Sequence, residues 1–157
     1  MVSVNIVCVG KIKETFYKDA VAEYAKRLQR FCKFSIIETK EVPPKADGDA
    51  YILKSMEDEA QFILPQLRGY VIVLAVEGKE LDSVALSNLF KERMERGDSE
   101  ITFVIGGSNG LSDKIKEKAN FSLSFSKMTF PHMLARVMIS EQIYRAFTIM
   151  NGIEYHK

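Results

Sequence analysis

Apolar residues recur along this chain with two periods, and the periods alternate. From residue 2 to residue 9 apolar side chains first alternate with polar ones and then run together up to Gly10, which predicts a buried strand. Between 14 and 30, Phe16, Ala20, Val21, Tyr24 and Leu28 fall three or four apart, the spacing of one helix face. A β-branched run predicts a second strand over 33–40. Pro43, Pro44 and Gly48 make 42–49 a loop. Ile52, Met56, Ala60, Ile63 and Leu64 share a face of a helix over 50–67, whose end Pro65 disturbs. The unbroken apolar run over 70–76 is the mark of a strand covered on both faces. A helix over 81–96 starts at a cap, Asp82 or Ser83, and stops at Gly97. A strand over 101–105, a short helix over 112–119, a strand over 121–125 and a long helix over 131–150 complete the chain. Pro131 sits in the first turn of that helix, where a missing N–H costs nothing.

Strand and helix thus alternate five times. The pattern predicts an α/β fold in one domain over residues 1–157, a mostly parallel sheet with helices on both faces.

Composition changes this picture little. The 157 residues suffice for one core, and 46% hydrophobic with 27% charged content is ordinary for a soluble globular protein. The apolar start lacks a basic segment and a cleavage site, and no run is long enough to span a bilayer, so the expected setting is cytoplasmic with no membrane partner. Cys8 and Cys32 show no metal-ligand spacing and read as buried thiols in a reducing compartment. The net charge of +1 is unevenly spread. Residues 101–157 hold 7 Lys+Arg against 4 Asp+Glu, and residues 1–100 hold 15 against 17. The C-terminal part is therefore the basic one, a modest pointer to an anionic ligand or RNA.

Candidate chemistry lies in that basic part. Gly106-Gly107-Ser108-Asn109-Gly110 follows a strand and precedes a helix, where glycines let the backbone approach a ligand and offer N–H groups to an anion or a purine edge. It is neither a Walker loop nor a Rossmann fingerprint, since Ile105 stands where glycine is needed. The residues alone leave open a tight structural turn. Ser124 to Phe130 mixes hydroxyls with Phe125, Met128 and Phe130, the composition of an adenosine pocket wall. Two neighbouring strands bearing these loops at their carboxyl ends would frame a nucleotide-sized crevice. His132, Arg136 and Ser140 fall on one line of the last helix, with Met133, Leu134, Val137, Met138 and Tyr144 expected to be buried opposite. Ile139 and Ile143 extend its apolar surface toward a partner, most simply a second copy. Glu141 and Arg145 have the spacing of a surface ion pair. Tyr155-His156-Lys157 reads by position as a frayed end, although its residue types suit a nucleotide. No metal motif, catalytic triad or paired carboxylates stand near the glycine loop. This inventory suits a reaction that needs binding and orientation, such as transfer of an activated methyl group. A non-catalytic nucleotide- or RNA-binding module is the alternative. A phosphotransferase is disfavoured by the absence of a phosphate-binding lysine.

Val104-Ile-Gly-Gly-Ser-Asn-Gly-Leu111, Leu123-Ser-Phe-Ser-Lys-Met-Thr-Phe-Pro-His132, Glu141-Gln-Ile-Tyr-Arg-Ala-Phe147, the terminal Tyr-His-Lys and the Val-Gly-Lys-Ile-Lys-Glu at 9–14 together resemble the ribosomal RNA large-subunit methyltransferase H family. This family is a branch of the SPOUT class of S-adenosylmethionine-dependent methyltransferases. The resemblance implies a C-terminal trefoil knot and a homodimer. It implies methylation of N3 of a pseudouridine in large-subunit (23S) ribosomal RNA on the assembled ribosome. Carried over by position, it implies cofactor contacts at Leu74, Gly106, Phe125, Ser126, Lys127, Met128, Thr129 and Phe130. It implies substrate-side roles for His132, Arg136, Tyr155, His156 and Lys157, with the tail reaching the partner's site and His132, Arg136 and His156 as the candidate catalytic groups.

Overall fold

The computed structural model describes all residues, Met1–Lys157. Its strands are β1 (Ser3–Val9), β2 (Lys33–Thr39), β3 (Tyr70–Glu80), β4 (Glu100–Ile105) and β5 (Phe121–Ser124). Its helices are α1 (Thr15–Leu28), α2 (Asp49–Ile63), α3 (Ser83–Glu95), α4 (Asp113–Lys118) and α5 (His132–Met150). A single 3-10 turn, Leu64–Gln66, holds Pro65 and closes α2 as expected. Every pairing is parallel, in the order β2-β1-β4-β3-β5.

The alternation of side chains explains why both faces need a cover. Val4, Ile6 and Cys8 of β1 and Ile101, Phe103 and Ile105 of β4 pack on one face with Leu28 of α1, Phe90 of α3, and Ile139, Ile143 and Phe147 of α5. Val7, Val9, Val73 and Val104 point to the other face, where Ala60 and Ile63 of α2 and Ile115 of α4 meet them. Burying each such aliphatic side chain contributes about 1.5–3 kcal/mol. The Asp82 carboxylate caps α3 by accepting the Ala85 N–H at 2.7 Å, and Gly97 ends that helix region with φ of +93°. Both thiols are buried, and burial pushes Cys8 and Cys32 each up to about 12. No helix is long and apolar enough to cross a membrane.

The structure corrects four expectations. Strands β4 and β5 are not neighbours: β3 lies between them. Strand β3 runs on to Glu80, and its register with β5 jumps between Leu74 and Lys79, both of which face Leu123. Phe16 is 66% exposed, because it belongs to the solvent side at the start of α1. On α5, Arg136, Ile139, Ser140 and Ile143 are buried with Tyr144, whereas Met133, Leu134, Val137 and Met138 are only partly covered. The line through His132, Arg136 and Ser140 therefore points into the protein beyond its first turn, and Ile139 and Ile143 belong to the core of their own chain.

Candidate functional site

Strands β3 and β4 leave the sheet toward opposite faces, β3 into α3 and β4 into α4. A crevice opens where connections part in this way, outside the strand carboxyl ends. Here it is a cavity of about 700 Å³. That size suits a nucleoside-like ligand. Leu74, Ala75, Val76 and Glu77 contribute one wall: Leu74 is the last residue paired before the register jump, and the three that follow it are freed from pairing with β5. The sequence placed two loops side by side; the structure inserts the end of β3 between them.

The glycine loop is the second wall. It closes on itself, with a bridge between Gly107 and Gly110 and the Gly110 N–H donating to the Gly107 carbonyl at 3.0 Å. A side chain at Gly106 would put its Cβ 2.6 Å from the Gly110 carbonyl carbon. So the tight turn and the cavity wall are one object: the turn needs glycine at 106 because its own backbone returns there. Gly78 is required for a similar reason, since a Cβ would lie 2.7 Å from the Ser122 carbonyl oxygen where β3 crosses β5.

The third wall is the segment after β5. The Ser124 hydroxyl donates to the Ser126 carbonyl at 3.0 Å, and the Met128 N–H donates to the Ser126 hydroxyl at 2.8 Å. These local bonds set the loop's path. Phe125, Ser126, Met128, Thr129 and Phe130 line the cavity, while the predicted Lys127 does not and is exposed. Of the predicted cofactor positions, Leu74 and Gly106 join these five on the cavity wall. Glycines with no Cβ in the way, two serine/threonine hydroxyls and apolar Leu74, Phe125 and Phe130 fit S-adenosylmethionine, which carries an amino-acid group, a ribose and a flat purine.

His132 completes the rim at the first turn of α5. Its pKa is lowered, first by burial and then by the Arg136 charge, against the opposing pull of Glu41 and Glu14. A histidine held toward its neutral form is a competent proton acceptor. Arg136 does not line the cavity. It is 1% exposed, its Nη1 donates to Glu38 at 2.5 Å and its Nη2 to the Gly10 carbonyl at 3.1 Å. Its Nε has no partner.

Nor do the last three residues reach this cavity within their own chain. Tyr155 stands edge-on to Tyr144 at 4.9 Å, under the Arg145 guanidinium at 4.7 Å. Arg145 Nη1 donates to His156 Nδ1 at 3.1 Å, and Lys157 is exposed. The tail is thus docked and not frayed. The Glu141–Arg145 pair, at 2.8 Å and largely covered, holds the docking cation, and its hydrogen bond raises the Arg145 pKa. His156 lines a second cavity of about 670 Å³ with Tyr24, Val84, Phe125, Val137 and Met138. Phe125 separates the two cavities and borders both.

Three features escaped sequence reading. Lys116 of α4 pairs with Glu77 at 2.6 Å across the cavity mouth, and that hydrogen bond lowers the Glu77 pKa. Met56 of α2 closes the far side. Ser55 and Glu59, one turn apart on α2, grip Val42: the Ser55 hydroxyl donates to its carbonyl, and its N–H donates to the Glu59 carboxylate at 3.0 Å. Glu59 is 6% exposed beneath Gly107, and burial raises its pKa. The sequence reading gave Ser55 and Glu59 no role, because two polar residues one turn apart on a helix carry no signal of what they grip.

A parallel sheet with a self-closed glycine turn, a hydroxyl-rich aromatic loop and a histidine around one cavity defines an α/β protein for a nucleoside-like ligand. Residues 2–156 match the family described as "Predicted SPOUT methyltransferase". The ribosomal RNA large subunit methyltransferase H of Streptococcus uberis is 50% identical over 157 residues, covering 98% of this chain and 99% of that one. The protein of the same name from Clostridium tetani is 48% identical over 158 residues, covering 99% of each. The solved structure of a probable methylase family protein from Haemophilus influenzae shares the fold, with TM-score 0.53 and 15% identity over 98% of this chain and 70% of that one. The chain belongs to the SPOUT methyltransferase family, in its ribosomal RNA large subunit methyltransferase H branch.

Proposed function

We propose that this chain, as one domain over its whole length, is an S-adenosylmethionine-dependent methyltransferase. Its substrate is N3 of a pseudouridine in large-subunit ribosomal RNA on the assembled ribosome. The observation that carries this reading is the convergence of the Gly106 turn, the 125–130 loop and His132 on one cavity in a chain half identical to relatives of that name. The cofactor supplies an electrophilic methyl group bound to sulfur. The residues then have simple tasks. Leu74, Phe125 and Phe130 exclude water from an adenosine, and the turn's N–H groups and the Ser126 and Thr129 hydroxyls orient its polar edges. His132 accepts the N3 proton as the carbon–nitrogen bond forms. Lys157 and His156 hold the uracil and its developing negative charge from the partner's tail. Arg136, paired and covered, cannot serve as that open cation.

The active form in this proposal is a homodimer, with the threaded C-terminal knot of its class. The partly covered Val137 and Met138 and the 44%-exposed Val84 beside the second cavity are the apolar surface a second copy would cover. Methyl transfer to purified 50S and 70S ribosomes, followed by nucleoside mass spectrometry, tests the reading. The expected product is N3-methylpseudouridine, and RNA binding without turnover would favour the alternative, a non-catalytic nucleotide- or RNA-binding module that assists ribosome assembly. Removing residues 155–157 should leave cofactor affinity and the sheet intact while methyl transfer collapses. A truncated protein that still works at the wild-type rate would remove the tail from the site.

A further inference from the structure

The buried Arg136 raises a question the reaction does not answer. A guanidinium that reaches neither cavity nor solvent is costly to keep, so its partners show its purpose. Those partners converge on one segment. Arg136 Nη2 donates to the Gly10 carbonyl at 3.1 Å. Glu38 Oε2 takes both Arg136 Nη1, at 2.5 Å, and the Ile12 N–H, at 3.0 Å. The backbone at 10 and 12 is therefore tied, from two sides, to one ion pair between β2 and α5. Gly10 permits the bend, with φ of +83°. A Cβ built there would lie 3.6 Å from the Met133 methyl, so the segment leans on the same helical turn that carries His132.

The alternation that follows is pointed. Ile12 is 8% exposed and anchors the segment, whereas Lys11 and Lys13 on either side of it are exposed. The neighbouring acidic groups are Glu41, 3.5 Å from that same β position, and Glu14, both felt by His132. With those carboxylates present the region is no general positive field, so the lysines act as individual contacts held in place.

We propose that Glu38 and Arg136 are a positioning pair for the RNA side of the site, holding residues 10–14 beside His132 so that Lys11 and Lys13 contact backbone phosphates of the bound RNA. This rests on the ribosomal RNA methylation reading above.

The test is steady-state methylation of purified ribosomes by the full chain, with S-adenosylmethionine affinity measured by calorimetry. The double variant K11Q/K13Q should raise the KM for ribosomes on the order of tenfold, with kcat and cofactor Kd unchanged. The slope of log(kcat/KM) against log salt should become shallower by about 1–2, as expected when one or two phosphate contacts are lost. E38Q should show the same KM-selective loss, and adding it to the lysine variant should produce little further loss, because both changes act through one segment. Wild-type KM and salt slope in K11Q/K13Q would overturn the proposal, and because those lysines are exposed this variant decides even if E38Q does not fold. An E38Q protein that loses cofactor affinity while keeping its ribosome KM would overturn it too. If the wild-type chain transfers no methyl group to ribosomes, the functional reading falls and the proposal with it; wild-type transfer with unaffected variants defeats the proposal alone.

Discussion

The segments that follow β1 and β4 make an instructive pair. The two strands are paired from Ser3↔Glu100 to Cys8↔Ile105, so residues 10–14 and 106–110 leave the sheet from the same edge at the same level. Each begins with a glycine, yet they are held by different means. The 106–110 turn is closed by its own backbone, through the Gly107–Gly110 bridge. Residues 10–14 are closed by side chains from far away, Glu38 and Arg136, which lie 98 positions apart, with Arg136 lying 126 positions from Gly10. A backbone-closed loop is rigid but intolerant of any Cβ. A loop closed by an ion pair tolerates side chains and so can present lysines, but it depends on a distant partner.

The largest effect should come at the first turn of α5, on which residue 10 leans and which shares the cavity with the 106–110 turn. Replacing His132 with Gln should lower kcat by about 10²–10⁴-fold while cofactor affinity holds. Because the pKa of His132 is lowered, its base form persists into acid. The acid limb of the wild-type kcat profile should therefore fall below the ordinary histidine value of about 6.5, and the limb should vanish in H132Q. A limb that survives in H132Q would assign the base elsewhere.

Stability should separate the two sides of the ion pair. Glu38→Ala strands a fully buried guanidinium and should cost about 3–5 kcal/mol. Arg136→Met keeps packing and leaves a carboxylate that is one-third exposed and can hydrate, so it should cost clearly less. Urea melts that rank the two the other way would show that Arg136 matters for its packing more than for its charge.

On the backbone-closed side, Gly106→Val should cost about 1–3 kcal/mol through overlap with the Gly110 backbone, weakening S-adenosylmethionine by about tenfold to a hundredfold as the turn opens. A well-folded variant with unchanged affinity would mean that the turn is no part of the pocket.

The smallest effect concerns Glu59, which lies under Gly107 and grips Val42. Its folded pKa is raised, so the folded state binds this proton more tightly than the unfolded chain does. Wild-type stability from this group is then greatest in acid and declines as pH rises through that folded pKa. Glu59→Gln removes the decline. It should match the wild type near pH 4 and exceed it near pH 7, by under about 1 kcal/mol in urea titrations. A variant equally weakened at both pH values would show that the carboxylate's charge is needed where it lies.

What the sequence determined is what depends on near neighbours. Hydrophobic period located ten strands and helices to within a few residues, because burial acts on each turn or strand locally. The glycines at 106, 107 and 110 and the serines at 124 and 126 marked their loops for the same reason: their bonds close within a few positions. Family likeness added the expectation of substrate-side residues and of a knot, neither of which a local pattern carries. The tertiary structure alone decided strand order, and so put the unpaired stretch of β3 between Leu74 and Lys79 beside the two loops. It also turned Arg136 from an expected open cation into a buried tie, and made a clamp of Ser55 and Glu59, to which the sequence assigned no role. A side chain's partner lies wherever the chain returns in space, and with separations as large as 126 residues no periodicity records where that is.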